Sequence, residues 1–230
     1  MTIKTPGRLF CQALAVTVTL LTATACAAPK PAPDACRQPL SPQVENACVV
    51  KDGVLWRGAK PTTEGATALL NLGVKSIVNL ELLHSDLSAL REARPTPATA
   101  EPRLVGYYEV PEWEPNVKLA RSVLDGHVAE FLAIVRSQPK PVYVHCRSGQ
   151  NRTGVMVAAF RILEEGVPVE QAIEEMGKYR GVWFSADAAY LRELAGERRS
   201  RLMALIGQKQ AALEAPKWLA CGAQGCVERR

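Results

Sequence analysis

Residues 145–154 read His-Cys-Arg-Ser-Gly-Gln-Asn-Arg-Thr-Gly, and this run concentrates the side chains that chemistry could use. Cys146 is a nucleophile when its sulfur is ionised, and Arg152, six positions on, offers a planar two-toothed donor fork for an oxyanion. Gly149 lets the backbone between them turn tightly with no side chain in the way. The apolar stretch Pro141-Val142-Tyr143-Val144 before the run predicts a buried strand, and a helical pattern begins at its end, near Arg152. A loop that joins the carboxyl end of a strand to a helix N-terminus aims several backbone N–H groups into one concavity and adds the positive end of the helix dipole. Such a site favours a dianion like phosphate, and the same field favours the thiolate of Cys146. Arg147, Ser148, Gly149, Gln150, Asn151 and Arg152 are therefore the candidate phosphate-binding residues.

His-Cys-x5-Arg-Thr resembles the signature loop of the protein tyrosine phosphatase superfamily, nearest its dual-specificity branch. The resemblance implies that Cys146 attacks phosphorus to give a cysteinyl-phosphate, that Arg152 grips the equatorial oxygens, and that water then releases phosphate. It assigns to Thr153 the hydroxyl that helps the cysteine leave, and to His145 a supporting role for the loop rather than general-base work. The segments Trp56-Arg57-Gly58-Ala59-Lys60-Pro61-Thr62 and Gly73-Val74-Lys75-Ser76-Ile77-Val78-Asn79-Leu80 are similar to the opening turn and following strand of a group of bacterial members. In that group Arg57 approaches the phosphate site; a surface salt bridge is the alternative. The resemblance covers about residues 50–182 and implies no cofactor and no metal.

The leaving oxygen needs a proton, which this family usually takes from an aspartate on a loop some thirty residues before the cysteine. No aspartate lies between Asp86 and Asp125, and Asp125 falls in a helical pattern where a solvated surface position is expected. The loop Val110-Pro111-Glu112-Trp113-Glu114-Pro115-Asn116 stands in the required place. Glu114 is the first candidate for the general acid and Glu112 the second, against the alternative of two surface glutamates. Apolar cover from Trp113 would favour a carboxyl that keeps its proton.

Around this loop the chain alternates strands and helices. Short strands are predicted at Val54–Arg57, within 74–83 and over Leu104–Val110. Helices are predicted from a Thr62 or Thr63 cap to Leu72, where Gly73 ends the run, then over Asn116–Val135, Thr153–Glu165, Val169–Tyr179 and 186–214. The alternation predicts an α/β fold with a mainly parallel central sheet flanked by helices. Residues 94–102 are Pro-rich and read as a loop. The basic cluster Arg198-Arg199-Ser200-Arg201 reads as a solvated helix face.

Before the domain lies an export segment. Lys4 and Arg8 precede an uncharged run from Leu9 to Ala28, as in a signal peptide. Ala23-Thr24-Ala25-Cys26 is similar to a lipobox, which makes Cys26 a lipidation candidate; ordinary cleavage after Ala25 or Ala27 and a retained anchor are the alternatives. All three place the rest of the chain outside the cytoplasm, in the periplasm or anchored on the outer side of the inner membrane. The boundaries that follow are 1–25 for the signal peptide, 26–47 for a Pro/Ala-rich tether, 48–182 for the phosphatase-like domain and 183–230 for a helical C-terminal extension. Of seven cysteines, Cys36, Cys48, Cys221 and Cys226 form two terminal pairs, which in an oxidising compartment suggests two disulfides with three connectivities open. A zinc site from these four is weakly supported.

Several functions are disfavoured. The formal charge of +5 lacks the strong basic bias of a nucleic-acid binder. Gly149-x4-Gly154 continues as Val155-Met156 where a nucleotide-binding loop needs Lys-Ser/Thr. A rhodanese-type sulfurtransferase commonly holds one residue fewer between its cysteine and arginine. A non-catalytic phosphate-recognising module is the other rival. Arg147 is the one additional cation inside the loop, where relatives acting on inositol phosphates often carry two lysines. That leans toward a phosphorylated protein or small organic phosphate, with an inositol phosphate open if arginines outside the loop contribute.

Overall fold

A computed structural model describes Cys36 and residues 38–96, 102–179 and 183–229. The predicted leader and Cys26 lie outside these residues, as does most of the Pro-rich loop. The sheet has seven strands: β1 (Cys48–Lys51), β2 (Leu55–Ala59), β3 (Ser76–Asn79), β4 (Arg103–Glu109), β5 (Val142–Cys146), β6 (Lys217–Gly222) and β7 (Gly225–Glu228). Their spatial order is β1-β2-β5-β3-β4-β6-β7. The four central strands are parallel, with Arg57 opposite Val144, Ile77 opposite Tyr143 and Val78 opposite Tyr108. Antiparallel strands close both edges. The α/β prediction holds: the centre of the sheet is parallel as expected, and antiparallel strands added at its edges make the whole sheet mixed.

Parallel strands need crossovers, and here those crossovers cover both faces. On one face lie α1 (Thr63–Leu72) and α2 (Leu87–Glu92), packed with Leu69, Leu70, Ile77, Leu90 and Tyr143. Thr62 caps α1 by accepting from the Gly65 N–H at 3.2 Å, and Gly73 ends it at φ 91°. The opposite face carries α4 (Arg121–Ser137), α5 (Asn151–Leu163), α6 (Val169–Gly177), α7 (Phe184–Ala195) and α8 (Arg199–Ala211), around Phe131, Leu132, Met156, Phe160 and Leu191. The short α3 (Asn116–Leu119) precedes α4. The chain passes from β2 over α1 to β3, leaving a slot that β5 later fills from the other face. Crossovers of opposite direction thus part where β5 ends, the usual ligand crevice of such sheets.

Several expectations need correction. The helix predicted over Asn116–Val135 is split at Ala120, whose φ −149° and ψ 61° are not helical. The helix predicted over 186–214 is split near Gly196, and residues beyond it form the β6–β7 hairpin, so the C-terminal extension is not purely helical. Its six-residue strand, with only Leu219 and Cys221 buried, carries too short an alternation to be recognised in sequence. The tether is packed from residue 38 on, with Val44 and Ala47 buried and Cys36 bonded to Cys48. Asp125 is 1% exposed rather than solvated, accepting from the Tyr190 hydroxyl at 3.0 Å and from Arg198 at 2.9 Å. Arg198 therefore ties the start of α8 to α4 instead of facing solvent. The second disulfide joins Cys221 to Cys226 across the hairpin.

Candidate active site

All five residues of β5 are buried, and the strand delivers Cys146 as a free thiol, 1% exposed, at the crevice. The next four residues turn back into α5, which begins at Asn151, so Cys146 lies at the foot of a 13-residue helix. Gly149 sits at φ 70°, left-handed backbone that other residues rarely adopt. A Cβ there would stand 2.6 Å from the Gly58 carbonyl carbon and oxygen and 2.8 Å from the Ala59 nitrogen. Glycine is required here for both torsion and space.

Three successive carbonyls of this loop are held from outside it. Arg147 O accepts from the Lys60 N–H at 3.4 Å, Ser148 O from the Asn46 side-chain amide at 2.7 Å, and Gly149 O from Arg57 Nη2. In a planar trans peptide the N–H points opposite to the C=O. Tethering three carbonyls outward thus turns the N–H groups of Ser148, Gly149 and Gln150 the other way, into the concavity. This is an anion nest at a helix N-terminus.

Arg57 is 2% exposed, which excludes a surface salt bridge. Its guanidinium carbon lies 3.6 Å from the Tyr179 ring centre. Burial pulls its pKa below the ordinary value, while Tyr179 and Cys146 act in the opposite sense. Arg57 supports the loop from beneath. Sequence reasoning left its role open and missed Asn46 altogether, because Asn46 fell within the presumed tether; its only local signal is a turn-prone type, realised here at φ 56°.

A second support lies under the strand end. His145 Nε2 is 2.6 Å from Asp86 Oδ2, both residues fully buried, and His84 Nε2 is 3.2 Å from the other oxygen. Tyr107 joins this network, its hydroxyl accepting from the Asp86 N–H and from Asn79 Nδ2, both at 3.0 Å. Burial and the Asp86 charge push that hydroxyl up to about 12. Tyr143 stacks on His145 with centroids 5.7 Å apart, and burial holds its hydroxyl well above the ordinary value. The supporting place assigned to His145 thus has a physical basis in Asp86, a partner the motif does not contain.

Arg152 is partly buried and faces the segment that follows β4. Its Nη1 donates to Leu80 O at 3.1 Å and to Glu112 O at 3.4 Å, and its Nε lies 3.3 Å from Glu114 Oε1. Glu114 is therefore beside the loop. Glu112 is 2% exposed and fully engaged, its oxygens taken by Asn116 Nδ2 at 3.0 Å and by His127 Nδ1. Trp113 is 51% exposed, and Trp183 of the α7 N-cap, not Trp113, walls the cleft that Glu112, Glu114 and Arg152 line. Thr153 is completely buried with no hydrogen-bond partner for its hydroxyl among the described residues. Arg147 is exposed at the mouth. Among the described residues no cluster of three or more His, Cys, Asp or Glu could hold a metal.

The chain resembles characterised proteins across this region. Dual specificity protein phosphatase TpbA of Pseudomonas aeruginosa is 29% identical over 124 residues, 53% of this chain and 49% of that protein. The chain thus spans about half the length of the curated relatives it matches. The crystal structure of P. aeruginosa TpbA superposes with a TM-score of 0.53 at 23% identity, over 79% of this chain and 98% of that one. The core catalytic domain of the PP-IP phosphatase SIW14 from S. cerevisiae, in complex with citrate, gives 0.51 at 19% identity, over 79% and 99%. Both share the fold. A family model described as a DSP-PTPase phosphatase fused to NAD+ kinase matches residues 41–191, from the packed N-terminal segment into α7 and across the whole loop. The chain belongs to this DSP-PTPase family.

Proposed function

We propose that this protein is a cysteine-dependent phosphatase that hydrolyses phosphate monoesters through a cysteinyl-phosphate intermediate. The observation that carries the reading is the free Cys146 at the foot of α5, inside a loop whose carbonyls are bound outward by Lys60, Asn46 and Arg57. In this reading the inward N–H groups and Arg152 hold the three non-bridging oxygens of the ester. The Cys146 thiolate attacks phosphorus opposite the leaving oxygen, and water then attacks the cysteinyl-phosphate. Thr153, buried one residue beyond Arg152, supplies the hydroxyl that eases departure of the sulfur. Glu114 is the one glutamate of the 110–116 segment whose carboxylate reaches Arg152, an ion pair that holds the guanidinium beside the loop.

The substrate class is a phosphorylated protein or small organic phosphate, supported by the neutral Gln150 and Asn151 and by Arg147 as the single further cation of the loop. Export completes the proposal. The leader sequence supports it, as do the Cys36–Cys48 and Cys221–Cys226 disulfides, a bonding state typical of oxidising compartments. Membrane attachment through a lipidated Cys26 is the finer part of this proposal.

The test is phosphate release from phosphotyrosine and phosphothreonine peptides, phosphoinositides and inositol phosphates by wild type and Cys146→Ser. Turnover that is blocked by vanadate and abolished in Cys146→Ser is expected. Phosphate release undiminished in Cys146→Ser would refute the mechanism, and tight binding of phosphate esters without turnover would select the recognition module.

A further inference from the structure

Expulsion of an alkoxide or phenoxide requires a proton, and the two glutamates nearest the loop are already committed. Glu112 is bound by Asn116 and His127, and Glu114 is paired with Arg152. The same cleft has a third carboxyl, contributed by α7. Asp187, in the first turn of α7, is 3% exposed, and its Oδ2 has no hydrogen-bond partner among the described residues. The cleft it lines is walled by Val117, Leu124, Val155, Met156 and Trp183 and reaches Asn151, Arg152 and Glu114. Its inner space is about 10 Å³, the room of roughly one water.

A buried carboxyl with one oxygen left unpartnered is held toward its protonated form, because apolar walls penalise the charged form. Burial, reinforced by the Glu114 charge, pushes Asp187 up to about 7. Other charges do not offset this. From α5 the facing cation is Arg152, already paired with Glu114; from α3, Lys118 lies 4.5 Å over the Trp183 ring. On α6, Glu170 is bound to Arg192 and Glu175 to Arg161, and at the start of α8 Arg198 is bound to Asp125 and Glu193.

We propose that Asp187 holds the proton that the leaving oxygen receives, delivering it through a single water in the cleft beside Arg152. The assignment rests on the phosphatase reading above. As the Cys146 sulfur bonds to phosphorus, the P–O bond to the leaving group breaks and its electron pair goes to that oxygen. The water gives this oxygen a proton and takes one from Asp187, which becomes a carboxylate. In the second step the attacking water forms the new P–O bond, its proton returns to Asp187, and the S–P bond opens to restore the thiolate. Protons and charge balance over the cycle with no added co-reactant.

The experiment compares kcat for p-nitrophenyl, phenyl and alkyl phosphates across pH 5–9 in wild type, Asp187→Asn, Asp187→Glu and Glu114→Gln. Loss of general acid catalysis costs about 10²–10⁴-fold, and this full loss is expected in Asp187→Asn for the alkyl ester. The p-nitrophenyl ester, whose leaving group needs little protonation, loses less than about tenfold. Asp187→Glu restores part of the loss, and wild-type kcat falls above a midpoint near the Asp187 value of about 7. The proposal is overturned if Asp187→Asn keeps the wild-type dependence on leaving group, or if Glu114→Gln alone reproduces the steeper one. A flat wild-type profile through neutral pH overturns it even where the amide variant does not fold. Wild type that hydrolyses none of the esters would instead sink the phosphatase reading itself.

Discussion

The side-chain amide of Asn46 donates to the Ser148 carbonyl at 2.7 Å, across 102 residues of sequence. The segment that carries Asn46 is pinned by the Cys36–Cys48 disulfide and by the Ala59 N–H, which donates to Glu45 O at 2.8 Å. The N-terminal segment is thereby part of the anion loop's scaffold, and the orientation of the Ser148–Gly149 peptide depends on it.

Asn46→Gly keeps the left-handed torsion and removes only the amide, whereas Asn46→Ala adds strain at φ 56°. Leaving a partly buried carbonyl unsatisfied costs about 1–3 kcal/mol. Both variants are expected to lose stability in urea unfolding, Asn46→Ala more, and to bind vanadate about five- to tenfold more weakly. Unchanged vanadate affinity in Asn46→Gly would show that the loop keeps its shape without this bond.

Gly149→Ala brings a methyl to 2.6 Å from the Gly58 backbone at a torsion of φ 70°. Backbone strain of about 1–3 kcal/mol and overpacking of similar size add at this position. The expected result is a destabilisation of roughly 2–5 kcal/mol and loss of nearly all turnover, since relief of the clash must pull Gly149 O away from Arg57. Thermal melting and phosphate release measure the two effects, and a variant with wild-type values in both would contradict the geometry.

Asp86 and His145 form a fully buried pair at 2.6 Å. Removing one partner of such a pair costs about 3–5 kcal/mol. Asp86→Asn and His145→Asn are each expected to destabilise strongly, and the double variant by much less than their sum, with a coupling of about 1–3 kcal/mol. Coupling below about 0.5 kcal/mol in a double-mutant cycle would show that Asp86 does not hold the histidine.

Asp187 also leaves a mark on stability. Its pKa of about 7 in the fold stands above the 3.8 of an unhindered aspartate, so the folded chain binds the proton more tightly than the unfolded one. The stabilisation is complete below about pH 4 and is lost as pH rises toward and through 7. Each unit is about 1.4 kcal/mol, so the upper bound is roughly 4 kcal/mol. Urea unfolding at pH 5 and pH 8 is expected to show a larger fall in stability for wild type than for Asp187→Asn. Equal falls would mean that Asp187 titrates as it does in the unfolded chain.

Local order within the sequence was enough to identify the loop, its strand and its helix. Cys146, Gly149 and Arg152 lie within seven consecutive positions, and a strand-turn-helix unit dictates where such neighbours point. The same holds for α1, with a cap at Thr62 or Thr63, of which the fold uses Thr62, and Gly73 as stop, and for the α/β class, which follows from alternating apolar periods. Glu114 was located by its distance along the chain from the cysteine, and it does meet Arg152.

Tertiary structure alone decided what surrounds that loop. Asn46, Arg57, Asp86 and Asp187 lie 100, 89, 60 and 41 positions from Cys146 along the chain. Each arrives from a different element: the packed N-terminal segment, β2, the start of α2 and α7. Whether a carboxyl is solvated or sealed depends on the side chains that close over it from elsewhere, as Trp183 and Leu124 do for Asp187 and as α8 does for Asp125. Periodicity reports which face of an element is apolar, but it carries no record of which distant element will cover that face, and protonation follows from the covering.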